Sequence, residues 1–385
     1  MIVAHITTDN RDAWRQYEAT EPVFGTAPAA LFSGLADRSD IELHLLSCTQ
    51  KPLRSPDKLN DRVWFHSIHV PKIGWLRSGY AGCIMALRRR LSRILPDIVH
   101  GQGTERECAM GAVFSGFPNV VTIHGNMVRV RQFYKARIGS YHGITAMLET
   151  LALRRAMGVF CNSSYTENTV KGRAKRVWRV PNALQREFFT DLPCKNANKI
   201  PVLVNVGVID PLKRQVELVE LFHRLHAAGC QFEIRFAGRL GCNVAYNNRF
   251  KKLIAESLGW AVHCGDLETR QLRDWLDQAD AMVHVSAEES FGLAVAEGLS
   301  RNLKMFTFGV GGTIDITADT DDTILLQPED WSGLEAAISS WIESGATSTR
   351  NSAAQMRNRY HPDVIARRHI EIYQSVLGRS GNGFC

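Results

Sequence analysis

Short β-branched runs alternate with stretches of helical periodicity in this chain, and the alternation happens twice. Runs at 2–7, 41–47, 98–100, 120–123 and 159–162 form a first series, and runs at 202–208, 232–237, 262–264 and 281–285 form a second. Strand, helix, strand is the pattern of a parallel sheet covered by helices, because parallel neighbours need a crossover and a helix usually supplies it. Over 80–95, Ile84, Leu87, Leu91 and Ile94 fall at helical spacing, Arg88, Arg89, Arg90 and Arg93 fall mostly on other faces, and Pro96 stops the run. Helices are expected likewise over 214–228, 248–258 and 269–277. Between the two series, beyond Pro181 and Asn182, the chain turns polar through 191–199. The expectation is an α/β protein of two Rossmann-like, doubly wound domains, 1–190 and 200–361, facing an interdomain cleft. A terminal helix over 362–378, with Ile365, His369, Ile372 and Val376 near helical spacing, is expected to pack back on the first domain.

A length of 385 residues suits two cores of ordinary size. The net charge of +7 is uneven: residues 1–200 carry 28 Lys and Arg against 16 Asp and Glu, and residues 201–385 carry 18 against 23. The basic half fits contact with an anionic membrane surface or a merely solvated face, and nucleic acid is not expected as a partner. Nine cysteines without a Cys-x-x-Cys pair or a nearby zinc-spaced histidine imply reduced thiols and no metal site. Residues 1–6 lack a basic leader and cleavage site, and no run approaches the ~20 apolar residues of a membrane span. A cytoplasmic protein, peripheral to the membrane at its inner face, is therefore expected.

The stretch carrying most chemistry is Ser286-Ala-Glu-Glu-Ser-Phe-Gly-Leu-Ala-Val-Ala-Glu297, which leaves a buried strand and enters a helix. A helix beginning near Phe291 would leave the amides of Phe291, Gly292 and Leu293 unpaired at a positive dipole end, where small Gly292 admits an anion. Glu289 and Glu297, about two turns apart, would then grip two separated sets of hydroxyls, as hexose and ribose are separated in a sugar nucleotide. The spacing alone also fits two surface glutamates around an ordinary cap.

Here the chain resembles the retaining GT-B glycosyltransferases of family 4 (group 1), whose second domains carry a Glu, seven residues, Glu motif around E-x-F-G-L. Glu289-Ser-Phe-Gly-Leu-Ala-Val-Ala-Glu297 is the match. Asn205-Val-Gly-Val-Ile-Asp-Pro-Leu-Lys-Arg-Gln resembles the family's V-G-R-L-x-x-x-K, Phe236-Ala-Gly-Arg its strand-end glycine near the nucleobase, and Phe308-Gly-Val-Gly-Gly-Thr-Ile-Asp its later glycine turn. Asp97-Ile-Val-His, Val121-Thr-Ile-His-Gly, Val159-Phe-Cys-Asn-Ser-Ser-Tyr-Thr and Val180-Pro-Asn-Ala are similar to ordered landmarks of the first domain.

The resemblance implies transfer of a hexose-type sugar, with retention, from a nucleotide diphosphate sugar to a glycan or lipid-linked acceptor in cell-surface polysaccharide synthesis, with no metal and no cofactor beyond that co-substrate. It assigns catalysis to His124, Lys213 and Glu289. It assigns donor binding to Gly25, Gly207, Lys213, Arg214, Gly238, Arg239, Ser290, Phe291, Gly292, Leu293 and Glu297. Two departures stand out: Val208 replaces the family's arginine, leaving Arg214 or Arg239 to supply charge, and Phe24-Gly-Thr-Ala-Pro offers one glycine where the family has two. Two other functions fit the same fold, a nucleotide-sugar epimerase and a catalytically impaired binding or partner subunit. A Rossmann dehydrogenase does not fit, since Gly101-Gln-Gly-Thr-Glu-Arg lacks the third glycine of its fingerprint and its strand is not the first.

Overall fold

A computed structural model describes residues 1–193, 198–347 and 351–378, and these form two compact units. The first comprises residues 1–183 with the described residues from 362 onward; the second spans Leu184–His361. The crossing between Ala183 and Leu184 precedes the polar stretch 191–199, of which 194–197 lie outside the described residues. The reason is burial: Leu184, Phe188 and Phe189 are already core residues of the second unit. Arg301 fastens the following segment through the carbonyls of Phe188, Thr190 and Asp191 while pairing with Asp277.

In the first unit the strands are β1 (Ile2–Ile6), β2 (Glu42–Thr49), β3 (Lys58–Asn60), β4 (Val63–His69), β5 (Ile98–Gln102), β6 (Asn119–Ile123), β7 (Gly158–Cys161) and β8 (Val177–Arg179). They lie in the order β3-β4-β2-β1-β5-β6-β7-β8, parallel except for β3 against β4. Period-two alternation builds both faces: Val3, Ile98 and Val120 enter one core layer, while Ala4, Ile6, Val99, Val121 and Ile123 enter the other. The helix Ala81–Ile94 closes the second layer with Leu87 and Leu91 fully buried, leaving Arg88, Arg89 and Arg93 exposed. Opposite it, the helix Thr26–Ala36 and the terminal helix Pro362–Val376 cross at Gly34. A Cβ there would lie 2.3 Å from the Pro362 carbonyl oxygen, so the crossing needs glycine.

The second unit orders β9 (Val202–Val206), β10 (Glu233–Ala237), β11 (Ala261–His263), β12 (Ala281–His284), β13 (Lys304–Phe308) and β14 (Thr323–Leu326) as β11-β10-β9-β12-β13-β14, all parallel. The helix expected over 248–258 begins earlier, at Val244, because the Asn243 side chain accepts from the Tyr246 amide and caps it. Both sheets have a point where strand order reverses, β1/β5 in one and β9/β12 in the other. Loops leaving the carboxyl ends of strands beside such a point form the natural binding crevice of a doubly wound sheet. In the second unit those loops begin at Gly207 and Val285.

Candidate active site

Three loops of the second unit are pinned together at the β9/β12 switch. The loop after β9 runs beside the loop after β10: the Gly207 amide donates to the Ala237 carbonyl (2.9 Å), Ile209 to Arg239 (2.9 Å) and Gly241 to Ile209 (3.0 Å). At Gly238, φ is +138°, and a Cβ would sit 2.0 Å from the Gly207 carbonyl oxygen, so the two turns touch only because no side chain intervenes. Buried Gln215 ties the first turn from inside, donating to the Val208 carbonyl and accepting from the Asp210 amide. The loop after β12 joins through Ala287, whose amide donates to the Leu212 carbonyl (2.8 Å). Gly312, in the glycine turn after β13, donates to the Glu289 carbonyl (3.0 Å).

This framework brings Lys213 onto Glu289, with Nζ 2.5 Å from Oε2. His284, the last residue of β12, reaches the same oxygen through Nε2 at 3.2 Å, and Ser286 Oγ lies 3.1 Å from that nitrogen. Burial alone would raise the Glu289 carboxyl, but the Lys213 ammonium and the His284 hydrogen bond outweigh it and hold the group well below the usual carboxylate range. Glu297, on the helix Leu293–Ser300, has the opposite setting: buried without a compensating charge, its carboxyl is pushed up to about 7.

The helix starts two residues later than the sequence suggested. Gly292 is its N-cap in the left-handed region, φ +106°, so the first-turn amides without an intrahelical acceptor are those of Leu293, Ala294 and Val295. The Phe291 side chain packs in the core, edge-on to Tyr360, and only its backbone can meet a ligand. Ser290 precedes it, half-buried in the loop. Arg214 caps the helix Gln215–Ala227 and forms an ion pair with Glu329, so its charge is already partnered; Arg239 is exposed, and Val208 is 38% exposed.

In the first unit, His124 follows β6 and stands at the head of a buried hydrogen-bonded line. Its Nε2 is 2.9 Å from Gln102 Oε1, and Gln102 Nε2 is 2.9 Å from His5 Nδ1. His5 Nε2 is 3.1 Å from the Tyr373 hydroxyl, which is 2.6 Å from His100 Nδ1; His100 Nε2 is 2.7 Å from Thr122 Oγ1. An amide oxygen only accepts and an amide nitrogen only donates, so Gln102 sets the direction: His124 carries its proton on Nε2, and each member donates to the next down to Thr122. Burial pushes His124 down to about 4, against a smaller upward contribution from hydrogen bonding to Asn182. Burial likewise lowers His5 and His100, each helped by neighbouring imidazoles. Gly25 caps the helix Thr26–Ala36 at φ −62°, and a Cβ there meets only Pro28 at 3.7 Å; its conformation does not demand glycine.

His284, Ser286 and the line behind His124 were not singled out from sequence. Their signal was present: histidines interrupt the apolar strands at positions 5, 100 and 284, where a fully buried parallel strand should be continuously apolar. Among the described residues no group of three His, Cys, Asp or Glu is placed to hold a metal ion, and no helix is long and apolar enough to cross a membrane.

Known proteins give the same architecture. The family model for glycosyl transferases group 1 matches residues 193–359, and that for Glycosyltransferase Family 4 matches residues 29–188, between them most of the chain. The chain is similar to the phosphatidylinositol N-acetylglucosaminyltransferase GPI3 subunit of Saccharomyces cerevisiae, 24% identical over 317 residues, 76% of this chain and 66% of that protein. It thus spans just under two thirds of that relative's length. Many solved structures share its fold, among them the following two. Sucrose-phosphate synthase from Thermosynechococcus elongatus superposes with a TM-score of 0.74 at 16% identity, covering 98% of this chain and 99% of that one. HepE of Anabaena, in complex with UDP and glucose, gives 0.73 at 14% identity, covering 97% and 99%. The two parallel-sheet, Rossmann-like units match GT-B glycosyltransferase structures.

Proposed function

Because the chain belongs to the group 1, family 4 glycosyltransferases, we propose that it transfers a hexose-type sugar from a nucleotide diphosphate sugar to a glycan or lipid-linked acceptor, with retention at the anomeric carbon. The observation that carries this is the pairing of Lys213 with Glu289 between the loops after β9 and β12 at one switch point, with Glu289 packed beside Gly292, the cap that leaves the Leu293–Val295 amides without intrahelical acceptors. Departure of the leaving group builds negative charge on the diphosphate. A lysine and preorganised amides are the groups that stabilise such charge, and no divalent ion is needed for the task. Glu289, kept ionised, accepts hydrogen bonds from the hydroxyls of the transferred sugar; Glu297 accepts them from the ribose. His124 is neutral, with its Nε2 proton given to Gln102, and so brings no charge to the reaction.

The relatives suggest where to look for substrates. The GPI3 subunit is named for N-acetylglucosaminyl transfer to phosphatidylinositol, and HepE was solved with UDP and glucose. A membrane-borne acceptor in cell-surface polysaccharide synthesis agrees with the basic first half. In this proposal the protein works from the cytoplasm, touching the anionic inner leaflet through exposed Arg88, Arg89 and Arg93 and the exposed residues Phe133, Tyr134, Lys135, Arg137 and Ile138.

A thermal-shift panel of UDP-, GDP- and ADP-sugars identifies the donor, since a native-state ligand at 100 times its Kd adds about 2.7 kcal/mol. Product anomers are then read by NMR, with and without EDTA. A product of inverted configuration overturns retention, loss of transfer in EDTA overturns the metal-free mechanism, and donor isomerisation without acceptor replaces the transferase with an epimerase.

A further inference from the structure

Lys213 is asked to serve two anions. It is paired with Glu289, and the proposed function gives it to the departing diphosphate as well. One ammonium cannot hold both at full strength, and turning it toward phosphate oxygens would leave a carboxylate that is only 14% exposed without its counter-charge. Arg214 is engaged with Glu329, and Val208 stands where a guanidinium would have been within the same turn. Among the described residues, the two that reach the Glu289 carboxylate are Lys213 and His284.

The ring of His284 is suited to the second role. It is buried, 4% exposed, and fixed at the end of β12, so its position does not depend on a mobile loop. Glu289 can only accept, so at 3.2 Å the proton lies on Nε2; Ser286 Oγ, 3.1 Å from the same nitrogen, accepts the other branch of a bifurcated bond. Its contact with Glu289 therefore does not depend on Lys213 staying where it is.

We infer that His284 is a positioning residue for Glu289: its Nε2–H holds the carboxylate on the sugar side of the site while Lys213 is handed to the diphosphate. This rests on the donor site proposed above, but it adds a residue and a division of labour. Lys213 follows the phosphate charge and His284 keeps Glu289 aimed. A device of this kind lets a single lysine act on the leaving group in a turn that carries Val208.

The test uses the full chain with the nucleotide sugar that the parent turns over best. His284→Leu removes the donor; His284→Gln restores an N–H on a flexible stem; each is also combined with Glu289→Ala. The expected result is a kcat about tenfold or more below the parent for His284→Leu, with nucleoside diphosphate affinity within about twofold, and partial recovery in His284→Gln. The acid limb of the kcat profile should move to higher pH in His284→Leu, because Glu289 loses one of the groups that keep it ionised. A role confined to folding would not move that limb. Placed on Glu289→Ala, His284→Leu should cost nothing further, since the histidine acts through the glutamate. If His284→Leu does not fold, His284→Asn, too short to reach Oε2, carries the same comparison. Parent-like kcat in a folded variant without the donor, or an equal loss in the Glu289→Ala background, overturns the inference. Parent-like kcat in Glu289→Ala itself overturns the donor site on which it rests.

Discussion

The line from His124 through Gln102, His5, Tyr373 and His100 to Thr122 joins six side chains and carries no formal charge at neutral pH. In the second unit, Lys213, His284 and Glu289 meet with charges of both signs in one small cluster. The sheets are of one type, yet burial acts differently on what it encloses. Imidazoles can shed their proton and remain hydrogen-bonded, so the first unit buries them neutral. A carboxylate that must accept sugar hydroxyls has to stay charged, and so the second unit gives Glu289 a lysine and an imidazole N–H. Neutral polar groups buried in a line specify structure; a compensated charge at a loop junction is available for chemistry. The distinction predicts where substitutions will cost turnover and where they will cost stability.

The charged cluster should give the largest effects. Lys213→Ala is expected to lower kcat by about ten- to a thousandfold through loss of a group facing the developing diphosphate charge. The loss should sit near the upper end, since Arg214 is held by Glu329 and Val208 contributes no charge. Glu289→Ala should reduce kcat far more than nucleoside diphosphate affinity, because its partner is the transferred sugar. Steady-state kinetics with calorimetric binding separates the two, and parent-like transfer in both variants would break the comparison at its charged end.

Glu297 sharpens it, because here a carboxyl lies in the same unit without a counter-charge. Glu297→Ala should weaken nucleotide binding by about 1.5–3 kcal/mol, roughly ten- to a hundredfold in Kd. The sign of the pH dependence follows from the direction of the shift. Burial raises the carboxyl to about 7, and ribose hydroxyls donate best to the ionised form, so binding expels a proton. Affinity should rise as pH goes from 6 to 8, and Glu297→Gln should flatten that slope. A pH-independent Kd in the parent would show that the ribose does not meet this carboxylate.

At the neutral end, Tyr373→Phe removes one hydroxyl from between His5 and His100 and leaves two ring nitrogens short of a partner. A stability loss of about 1–3 kcal/mol is expected in urea unfolding, with kcat within a few-fold of the parent. Acid should find the same place. His369 and its neighbours have folded-state values below the ordinary histidine value, His369 at about 4, so the unfolded chain binds more protons between pH 6.5 and 4. Stability at the terminal helix Pro362–Val376 is therefore full above about 6.5 and declines as pH falls toward 4. Hydrogen exchange of peptides from that helix, corrected for intrinsic rates, should accelerate over that window. Buried Glu105, Glu107 and Glu149 are raised and act in the opposite sense, but they lie around the 104–127 region and not on this helix.

Much of the fold was legible because it is written in short-range periodicity. The β-branched runs at 2–7 and 120–123 and the stripe Ile84, Leu87, Leu91 describe faces that local spacing already defines. β4 was not anticipated, since Trp64, His66 and Ser67 break the apolar pattern of its run. Nor could the boundary at Ala183 be placed, because it depends on Leu184 and Phe188 joining residues of a distant core. In the candidate site, Lys213 and Glu289 were recognisable from their motifs, whereas the line behind His124 was not. Its link from His5 to Tyr373 spans 368 residues, and no local pattern encodes such a contact. What local pattern does show is a histidine out of place in an apolar strand, at His5, His100 and His284 alike.

The smallest effect per residue is expected at the exposed basic surface of the first unit. In the helix Ala81–Ile94, Leu87 and Leu91 lie wholly inside the core, so they are not available to insert into lipid; Arg88, Arg89 and Arg93 remain outside. Residues 127–148 contain four Lys and Arg and no Asp or Glu, and they expose Phe133, Tyr134, Ile138 and Tyr141. Basic side chains interleaved with aromatic ones suit the headgroup zone of an anionic bilayer, with about 1 kcal/mol for each cation near the surface. Each Arg→Gln change at 88, 89 or 93 should thus weaken binding to phosphatidylserine-containing vesicles by up to about fivefold, and moderate salt should weaken it further. Combining Phe133→Ser with Tyr134→Ser should leave a larger share of the remaining binding salt-sensitive, because it removes the apolar component alone. Co-sedimentation with anionic and neutral vesicles at two salt concentrations reads both changes. Equal binding to the two vesicle types would remove the electrostatic contact, and binding to neither would leave the basic half as a solvated face and favour a soluble acceptor.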